Sequence, residues 1–397
     1  MGVEAVDLPP PLSLESAVGG ASQSNNVGGG SCQQHLGFKK GMAIASLNVN
    51  DLRSHLDEVQ LLIRNLGIHI LALNETKLDR LVPKELTDIR VYQKFRLDRT
   101  CNGGGVSVYV RDSAKAKHRS DVPSDDLELL CIEIELPKSR PFLVIAWYRP
   151  PGGPVCSFDK LEKALAYLDR EGKEMILLGD TNCDFTKKPN DQFTDNNAKH
   201  MASIYELFSF RQLVDEPTRV TLETATIIDH LATTCARNII STGVHEVSLS
   251  DHFMVYCIRK FNGAVEKDHK RIQTRSMKKF KEEEFLSNVS SICWERVFQQ
   301  TDDINPLVND WSTLFSLIIE KHAPLKEMRV SEKYCPWIDK DLKGLMRARD
   351  RLKTTALKRK SPILMDAYRQ ARNRVNSLNI ELKKQYFSKK YLNVRGT

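Results

Sequence analysis

The chain has 397 residues, 41% hydrophobic and 28% charged, with a formal net charge of +8, so it can bury a large core and form two or three domains. It contains no run of about 18 apolar residues, so we expect no membrane span, and its start lacks the basic and apolar regions of a signal peptide. Its nine scattered cysteines never form C-x-x-C, which argues against a zinc site or disulfide framework and favours a nuclear or cytoplasmic location over secretion.

Residues 1–40 are rich in Gly, Ser, Pro and Asn. Such a segment cannot bury enough apolar surface to offset its chain entropy, so we predict that it is disordered.

A strand–helix–strand unit is predicted where the composition changes at Gly41. Residues 42–47 form a short apolar run, and an amphipathic helix follows, with Ser54 as its expected N-cap and Gly67 as its end. The next apolar run, 68–73, reads as a second strand, as is typical of a layered α/β domain.

More strands and helices follow before the apolar pattern ends near residue 260. The predicted strands lie at 105–110, 127–136, 142–147, 175–178, 227–232 and 253–258, and the predicted helices at about 157–170 and 199–208. Valines alternate with polar residues in the first of these strands, which favours antiparallel pairing. We therefore expect one α/β domain over residues 41–260.

The rest of the chain is predicted to be helical and basic. Residues 261–336 read as a linker with helices around 283–298 and 306–321. Residues 337–397 hold 17 Lys or Arg against 5 Asp or Glu and read as a basic helical hairpin, with Ser361-Pro362 starting its second helix. Such a hairpin could meet an acidic polymer or be an ordinary solvated helical surface, and the sequence leaves both open.

Six short motifs place polar side chains just beyond apolar runs of strand length. Strand ends in an α/β fold present side chains to a common cleft, where carboxylates, amides and an imidazole suit a divalent metal and a phosphate ester. The residues are Asn48, Glu75, Tyr148, Asp180, Asn182, Asp229, Asp251 and His252.

Glu75 is the best candidate metal ligand by residue type, because Mg²⁺ and Mn²⁺ prefer hard carboxylate oxygens. Asn48 could share that role or hold a water molecule, although Glu75 could also be only a carboxylate at a helix start. Asp180 beside Asn182 could activate water or protonate a leaving oxygen, but both residue types are also ordinary turn formers.

His252 precedes the apolar run of the last predicted strand, so its imidazole could reach the cleft. Asp229 could orient the ring, because a carboxylate fixes both tautomer and plane. Tyr148 offers a hydroxyl donor for a phosphate oxygen, although Tyr148-Arg-Pro-Pro could equally be a rigid turn.

This ordered set resembles the endonuclease/exonuclease/phosphatase superfamily. It looks most like the apurinic-endonuclease-like domain that heads the polyprotein of non-LTR (LINE-type) retrotransposons, over roughly residues 41–260. The resemblance implies a DNase I-like, four-layered α/β sandwich: two mixed sheets face each other, helices lie outside, and the active site lies at one edge. A basic α-helical segment would follow the sandwich.

The resemblance also implies a cofactor, Mg²⁺ or Mn²⁺. In such enzymes Glu75 would bind the metal with help from Asn48 and Asp251. Two positions depart from the pattern: Asn50 stands where repair-type enzymes have an aspartate, and Thr181 replaces a usual phenylalanine.

The phosphate chemistry falls to five other residues in the same resemblance. Asp180 with Asn182 would position or activate the water, and Tyr148 would bind the scissile phosphate. His252, oriented by Asp229, would stabilise the pentacoordinate state.

Enzymes of this kind nick one DNA strand and leave a 3′-hydroxyl that primes reverse transcription. DNA is thus the expected partner, and element RNA could bind the basic hairpin. No aspartate pair of a polymerase follows Val330, so we expect a copy truncated before its reverse transcriptase.

Two alternatives remain open from the sequence. One is another phosphoesterase of the superfamily, acting on inositol lipids or sphingomyelin, although the Trp-Cys-Asp-Arg-type segment typical of those enzymes is replaced here by Ala225-Thr-Ile-Ile-Asp229. The other is a catalytically silent, nucleic-acid-binding remnant of a retroelement, held to its ligand through phosphate contacts.

Overall fold

A computed structural model of the protein describes residues 41–124, 126–186, 193, 195–261, 271–295, 304–329 and 335–395. The predicted disorder of 1–40 falls outside the described residues. No helix in the described part of the chain is both long and apolar enough to cross a bilayer.

The strands and helices of the described residues are as follows. The strands are β1 (Met42–Asn48), β2 (Ile70–Asn74), β3 (Tyr92–Leu97), β4 (Val106–Arg111), β5 (Lys115–His118), β6 (Glu128–Glu135), β7 (Phe142–Tyr148), β8 (Glu174–Asp180), β9 (Arg211–Gln212), β10 (Arg219–Val220), β11 (Ala225–Thr226), β12 (Asp229–Thr233), β13 (Ile239–His245), β14 (Met254–Arg259), β15 (Arg271–Arg275) and β16 (Leu325–Arg329). The helices are α1 (Leu52–Leu66), α2 (Cys156–Asp169), α3 (Asn196–Leu207), α4 (Glu282–Ser290), α5 (Ile304–His322), α6 (Lys340–Arg359) and α7 (Pro362–Arg395).

Two mixed six-stranded sheets form the centre of the fold. The first has the strand order β13-β14-β1-β2-β4-β3, and the second has the order β5-β6-β7-β8-β12-β9. Each sheet has one parallel pair, β1–β2 in the first and β7–β8 in the second, and each pair is connected through a helix. The remaining pairs, including both pairings of β4, are antiparallel, as the valine alternation predicts.

The sheets face each other across one apolar layer, because alternate residues of a strand point to opposite faces. Ile44 and Val108 of the first sheet share this layer with Val144 and Ile176 of the second. The neighbouring positions point outward, against α1 on the first sheet and against α2 and α3 on the second. The result is the α/β sandwich with outer helices that the sequence resemblance implies.

The prediction that Ser54 caps α1 is wrong. The helix begins three residues earlier than a Ser54 cap would place it, at Leu52, and Asp51 is its N-cap. The Asp51 carboxylate accepts hydrogen bonds from the Arg53 amide at 3.1 Å and from the Ser54 hydroxyl at 2.6 Å. Gly67 ends the helix in the left-handed conformation, with φ of 66°, as predicted.

The basic hairpin is formed by α6 and α7, which begin after Asp339 and Ser361 respectively. It packs on α1 of the sandwich through a small apolar cluster, whose buried members are Cys335, Ile338, Leu342, Met346 and Val375, with Leu61 of α1 against them. Two ion pairs flank this cluster: Arg349 with Glu58, and Lys383 with Asp57. The hairpin is thus attached to the sandwich, a point on which the sequence alone gives no indication.

Candidate active site

The candidate active-site residues meet because strand direction brings their strand ends to one edge of the sandwich. Asn48 and Tyr148 are the last residues of β1 and β7, and Glu75 directly follows β2. Asp180 ends β8 and pairs in register with Asp229, the first residue of the antiparallel strand β12. The carboxyl ends of both parallel pairs therefore lie together.

Asn48 connects the contributions of the two sheets. Its side-chain amide Nδ2 donates to Glu75 Oε1 at 3.0 Å and to Asp180 Oδ2 at 2.9 Å. Its amide oxygen accepts from the Asn50 backbone amide at 3.1 Å. In this arrangement Asn48 holds two carboxylates in place, and its own oxygen is engaged by the Asn50 amide.

Glu75 occupies a special backbone position beside Tyr148. Its φ of 51° lies in the left-handed region, which non-glycine residues seldom adopt outside functional sites and turns. The Tyr148 hydroxyl donates to Glu75 Oε1 at 3.1 Å. Burial, reinforced by the charges of Glu75 and Asp180, raises the pKa of Tyr148, so its hydroxyl stays protonated and remains a donor.

Asp180, Asp229 and His252 form a buried cluster in the site. His252 Nδ1 lies 2.9 Å from Asp229 Oδ2, and its Nε2 lies 3.9 Å from Asp180 Oδ2. One ligand atom of each of the three residues lies within 4.8 Å of the others. The histidine thus stands between two carboxylates, and Asp229 fixes its ring as the sequence analysis proposed.

The charges of this cluster perturb one another. Burial raises the pKa of Asp180, and the nearby Asp229 carboxylate raises it further. Burial by itself would lower the pKa of His252, but the carboxylates of Asp229, Asp180 and Asp251 outweigh that effect and raise it to about 9. An imidazolium beside Asp180 suits the binding of an anion such as a phosphate.

Asn182 and Gly179 hold Asp180 in position. The Asn182 backbone amide donates to Asp180 Oδ1 at 3.1 Å, and its side-chain amide donates to the carbonyl of Arg149 at 2.8 Å. A Cβ atom on Gly179 would collide with the carbonyl oxygen of Trp147 on the neighbouring strand β7. The glycine thus permits close strand approach.

Asp251, which the resemblance makes a helper of Glu75 in metal binding, is paired with an arginine. Its side chain is 44% exposed and forms an ion pair with Arg219, with 2.7 Å between Oδ2 and Nε. This pairing lowers the pKa of Asp251: burial acts in the opposite direction, but His252 and Arg219 prevail. A metal role for Asp251 stays a prediction.

Sequence reasoning missed three residues that support the site. Asn74 accepts from the Asp180 amide at 3.0 Å, and Thr218 Oγ1 donates to Asp229 Oδ2 at 2.7 Å. Ser250 Oγ donates to the Asn48 carbonyl at 2.5 Å. Asn74 and Ser250 directly precede Glu75 and Asp251, which the sequence analysis identifies, so their positions were a usable signal, whereas nothing in the sequence marks Thr218.

The two departures from the family pattern are both accommodated. The Asn50 side chain faces Lys77, whose Nζ lies 2.5 Å from Asn50 Oδ1. Thr181 is fully buried, and both its amide and its hydroxyl donate to the carbonyl of Ile228, at 3.0 and 3.2 Å. The smaller side chain is therefore tied to the strand beside it.

The oxygen donors fit a hard divalent cation. Asp229 Oδ1 is buried and accepts no hydrogen bond from any described residue, which is a costly state for a carboxylate oxygen without a counter-charge. Glu75 adds a carboxylate held by two neutral donors. Asp180, Asp229 and His252 lie close enough together to share one ion, and Glu75 stands beside them through Asn48.

Comparison with known proteins identifies one matching family. The sequence model of a family described as Endonuclease/Exonuclease/phosphatase family matches residues 26–252. No curated protein matches the chain.

Several solved structures are similar to it in fold. A 3′-5′ exonuclease (NExo) from Neisseria meningitidis is 18% identical, with a TM-score of 0.46, and the match covers 55% of this chain and 100% of that one. The endonuclease domain of TRAS1, a telomere-specific non-LTR retrotransposon, is 14% identical, with a TM-score of 0.45 and coverage of 56% and 100%. The catalytic domain of Xenopus laevis APE2 is 15% identical, with a TM-score of 0.44 and coverage of 55% and 92%.

Proposed function

The chain belongs to the endonuclease/exonuclease/phosphatase family, and from that premise we propose that it is a metal-dependent DNA endonuclease that leaves a 3′-hydroxyl at the nick. One observation carries the proposal. The Asp180–Asp229–His252 cluster adjoins Glu75 through Asn48, so a water-activating carboxylate, an anion-binding imidazolium and a hard-cation ligand share one edge.

The proposed chemistry assigns each side chain a task. Asp180, whose pKa is raised by burial and by Asp229, accepts a proton from the attacking water. His252 donates from Nε2 to a non-bridging phosphate oxygen, because Asp229 holds its Nδ1, and Tyr148 offers a second donor. The water oxygen bonds to phosphorus and the bond from phosphorus to O3′ breaks. O3′ leaves with the electron pair of that bond and takes a proton from solvent water to become the 3′-hydroxyl, while the phosphate stays on the 5′-oxygen of the following nucleotide.

The metal belongs to the proposal as Mg²⁺ or Mn²⁺. When bound, it would offset charge on the phosphate oxygens. Glu75 would hold it beside the Asp180–Asp229–His252 cluster, while Asn48 fixes the carboxylates of Glu75 and Asp180 and Asn182 fixes Asp180.

The origin of the chain is also a proposal. We infer a retroelement endonuclease, because the ordered motifs and the basic hairpin after the sandwich resemble that arrangement. The exposed cations Lys343, Arg347, Arg351 and Lys358 recur at helical spacing on α6. They would bind the phosphate backbone of DNA, or of element RNA.

A plasmid-nicking assay tests the function. Wild type should convert supercoiled DNA to the open circle with Mg²⁺ and not with EDTA, and a DNA polymerase should extend the nick. Glu75→Ala and His252→Ala should each lower the rate by about 1000-fold or more. The matched controls Glu85→Ala and His118→Ala, both at exposed positions, should nick as wild type does.

The competing reading, a silent nucleic-acid-binding remnant, predicts a different result. In that case every form would bind DNA alike and none would nick it. Hydrolysis of inositol lipids or sphingomyelin without DNA nicking would instead favour a phosphatase of the same family.

A further inference from the structure

One lysine of the basic hairpin reaches into the loop that carries His252. Lys353 lies in the middle of α6 and is only 5% exposed. Its Nζ donates to the carbonyl of Val247 at 2.7 Å and to that of Ser250 at 2.6 Å. A second hairpin residue, Tyr368 of α7, donates its hydroxyl to the carbonyl of Ser248 at 3.2 Å.

We call residues 247–252, between β13 and β14, the catalytic loop. Three of its backbone carbonyls, those of Val247, Ser248 and Ser250, accept hydrogen bonds from the hairpin. A buried ammonium on two carbonyls is a charge-assisted contact, stronger than a neutral hydrogen bond. The loop backbone is therefore held from outside the sandwich. The hairpin also lies beyond the matched family region, which ends at residue 252.

A short path of hydrogen bonds leads from Lys353 to the reacting groups. Lys353 binds the Ser250 carbonyl, and the Ser250 hydroxyl donates to the Asn48 carbonyl at 2.5 Å. The same hydroxyl accepts from the His252 backbone amide at 3.2 Å. Ser250 thus fixes the loop to the end of β1 and fixes His252 to the loop.

The hairpin can serve as a rigid support because it is itself firmly anchored. Arg349, one helical turn before Lys353, makes two hydrogen bonds to the Glu58 carboxylate of α1, at 2.9 and 2.8 Å. Both side chains are largely buried, at 4% and 11% exposure. Any movement of α6 that displaced Lys353 would therefore also have to break the buried Arg349–Glu58 ion pair.

We infer that Lys353 is a positioning residue for the proposed phosphodiester hydrolysis: it sets the catalytic loop, and through Ser250 the ring of His252, in the reactive arrangement. This inference rests on the proposed function. It makes the appended hairpin a part of the active-site support in addition to any role in binding nucleic acid.

The test replaces Lys353 with Met, which keeps an unbranched apolar stem and removes both hydrogen bonds. Amide hydrogen exchange measures the loop directly, and we expect it to be about tenfold faster over residues 247–252 with no change in α1. In the plasmid assay kcat should fall by about tenfold while KM changes less than about twofold, because a misplaced group slows chemistry more than binding.

Two controls separate positioning from folding and from charge. Lys340→Met removes an exposed charge from the start of the same helix and should change neither quantity. Lys353→Arg, which keeps the charge and the donors, should recover part of kcat. If Lys353→Met does not fold, Lys353→Gln carries the test, because it stays polar but is shorter and uncharged, and wild-type exchange over the loop in that variant would overturn the inference.

The remaining outcomes are also decisive. Wild-type exchange in folded Lys353→Met overturns the inference, as does a loosened loop with an unchanged kcat. A wild-type protein that does not nick DNA defeats the proposed function, while the exchange comparison still decides whether Lys353 fixes the loop.

Discussion

The edge of the sandwich and the outer face of the hairpin are both charged, but the charges are held in opposite ways. Asp180 and Asp229 are 1% and 0% exposed and lie within a few ångström of each other. Arg347, Arg351 and Lys358 are exposed on α6. Water screens the second group and scarcely reaches the first, so similar charges differ in what they cost and what they can do.

The electrostatic energy of a buried charge depends on its individual contacts. The effect of the exposed charges depends on how many of them act together. Asp229 has a defined partner for one oxygen and none among the described residues for the other. One hairpin cation can replace another in a phosphate contact, because a single exposed ion pair contributes little by itself. Single substitutions should therefore be drastic at the sandwich edge and mild on the hairpin.

The largest expected effect comes from Asp180→Asn. The amide keeps the shape of the side chain but cannot accept a proton from water, so kcat for nicking should fall by about 1000-fold. Because the change also removes one of two neighbouring buried carboxylates, we expect stability in urea to be undiminished. Plasmid nicking and denaturant unfolding measure the two quantities.

Asp366→Asn on the hairpin is the matched control. Asp366 is 65% exposed and pairs only over one turn, with Arg369, so both quantities should stay close to those of wild type. A nicking rate within tenfold of wild type for Asp180→Asn would refute the role of Asp180 as base.

The sequence predicts the interior of the fold better than its margins. The sequence predicts every strand that lies between two other strands of a six-stranded sheet, because burial of such a strand requires continuous or alternating apolar residues. The missed strands of the two six-stranded sheets, β3, β5, β9 and β13, are all at sheet edges, where polar residues are tolerated at more positions. Helix α1 was found, but its cap was misplaced, because Asp51 and Ser54 are both suitable cap residues.

The sequence indicates which residues belong to the candidate site better than it indicates which of them contact each other. Strand ends identify Asn48, Glu75 and Asp180, and the resemblance assigns them roles. No sequence pattern shows that Asp251 pairs with Arg219, or that Thr218 supports Asp229, since those contacts join segments whose meeting depends on the completed fold. Contact between Lys353 and the catalytic loop is hidden for the same reason.

An intermediate effect is expected from pH, through His230 beside Asp229. Its Nε2 lies 2.9 Å from the Cys183 carbonyl and its Nδ1 lies 2.9 Å from the Tyr205 hydroxyl, an arrangement that suits a neutral ring. Burial lowers the pKa of His230 to about 4. Since the unfolded chain binds this proton near pH 6.5, stability is complete above that pH and is lost as the pH falls towards 4.

Denaturant unfolding at pH 7.5 and pH 5 should reveal the loss, with about 2 kcal/mol of the difference due to His230. His230→Gln should be less stable at pH 7.5 but should lose correspondingly less on acidification. His118→Gln, at an exposed position, should keep the wild-type difference. An equal pH difference in His230→Gln and wild type would show that His230 is not the responsible group.

The smallest effect, and the sharpest test of the comparison, comes from the hairpin face. Changing Arg347, Arg351 and Lys358 together to Gln should weaken binding to a short duplex by about fivefold at low salt and reduce the salt slope, with little effect on kcat. A control variant changes three exposed cations on the sandwich to Gln: Lys163 of α2, Arg170 directly after α2, and Lys199 of α3. It has the same net charge as the hairpin variant and should bind as wild type does. If both variants weaken binding equally, only net charge matters and the hairpin is no specific surface.

If the hairpin variant lowers kcat as strongly as it lowers affinity, the two regions act as one, because exposed charges would then be controlling the buried cluster.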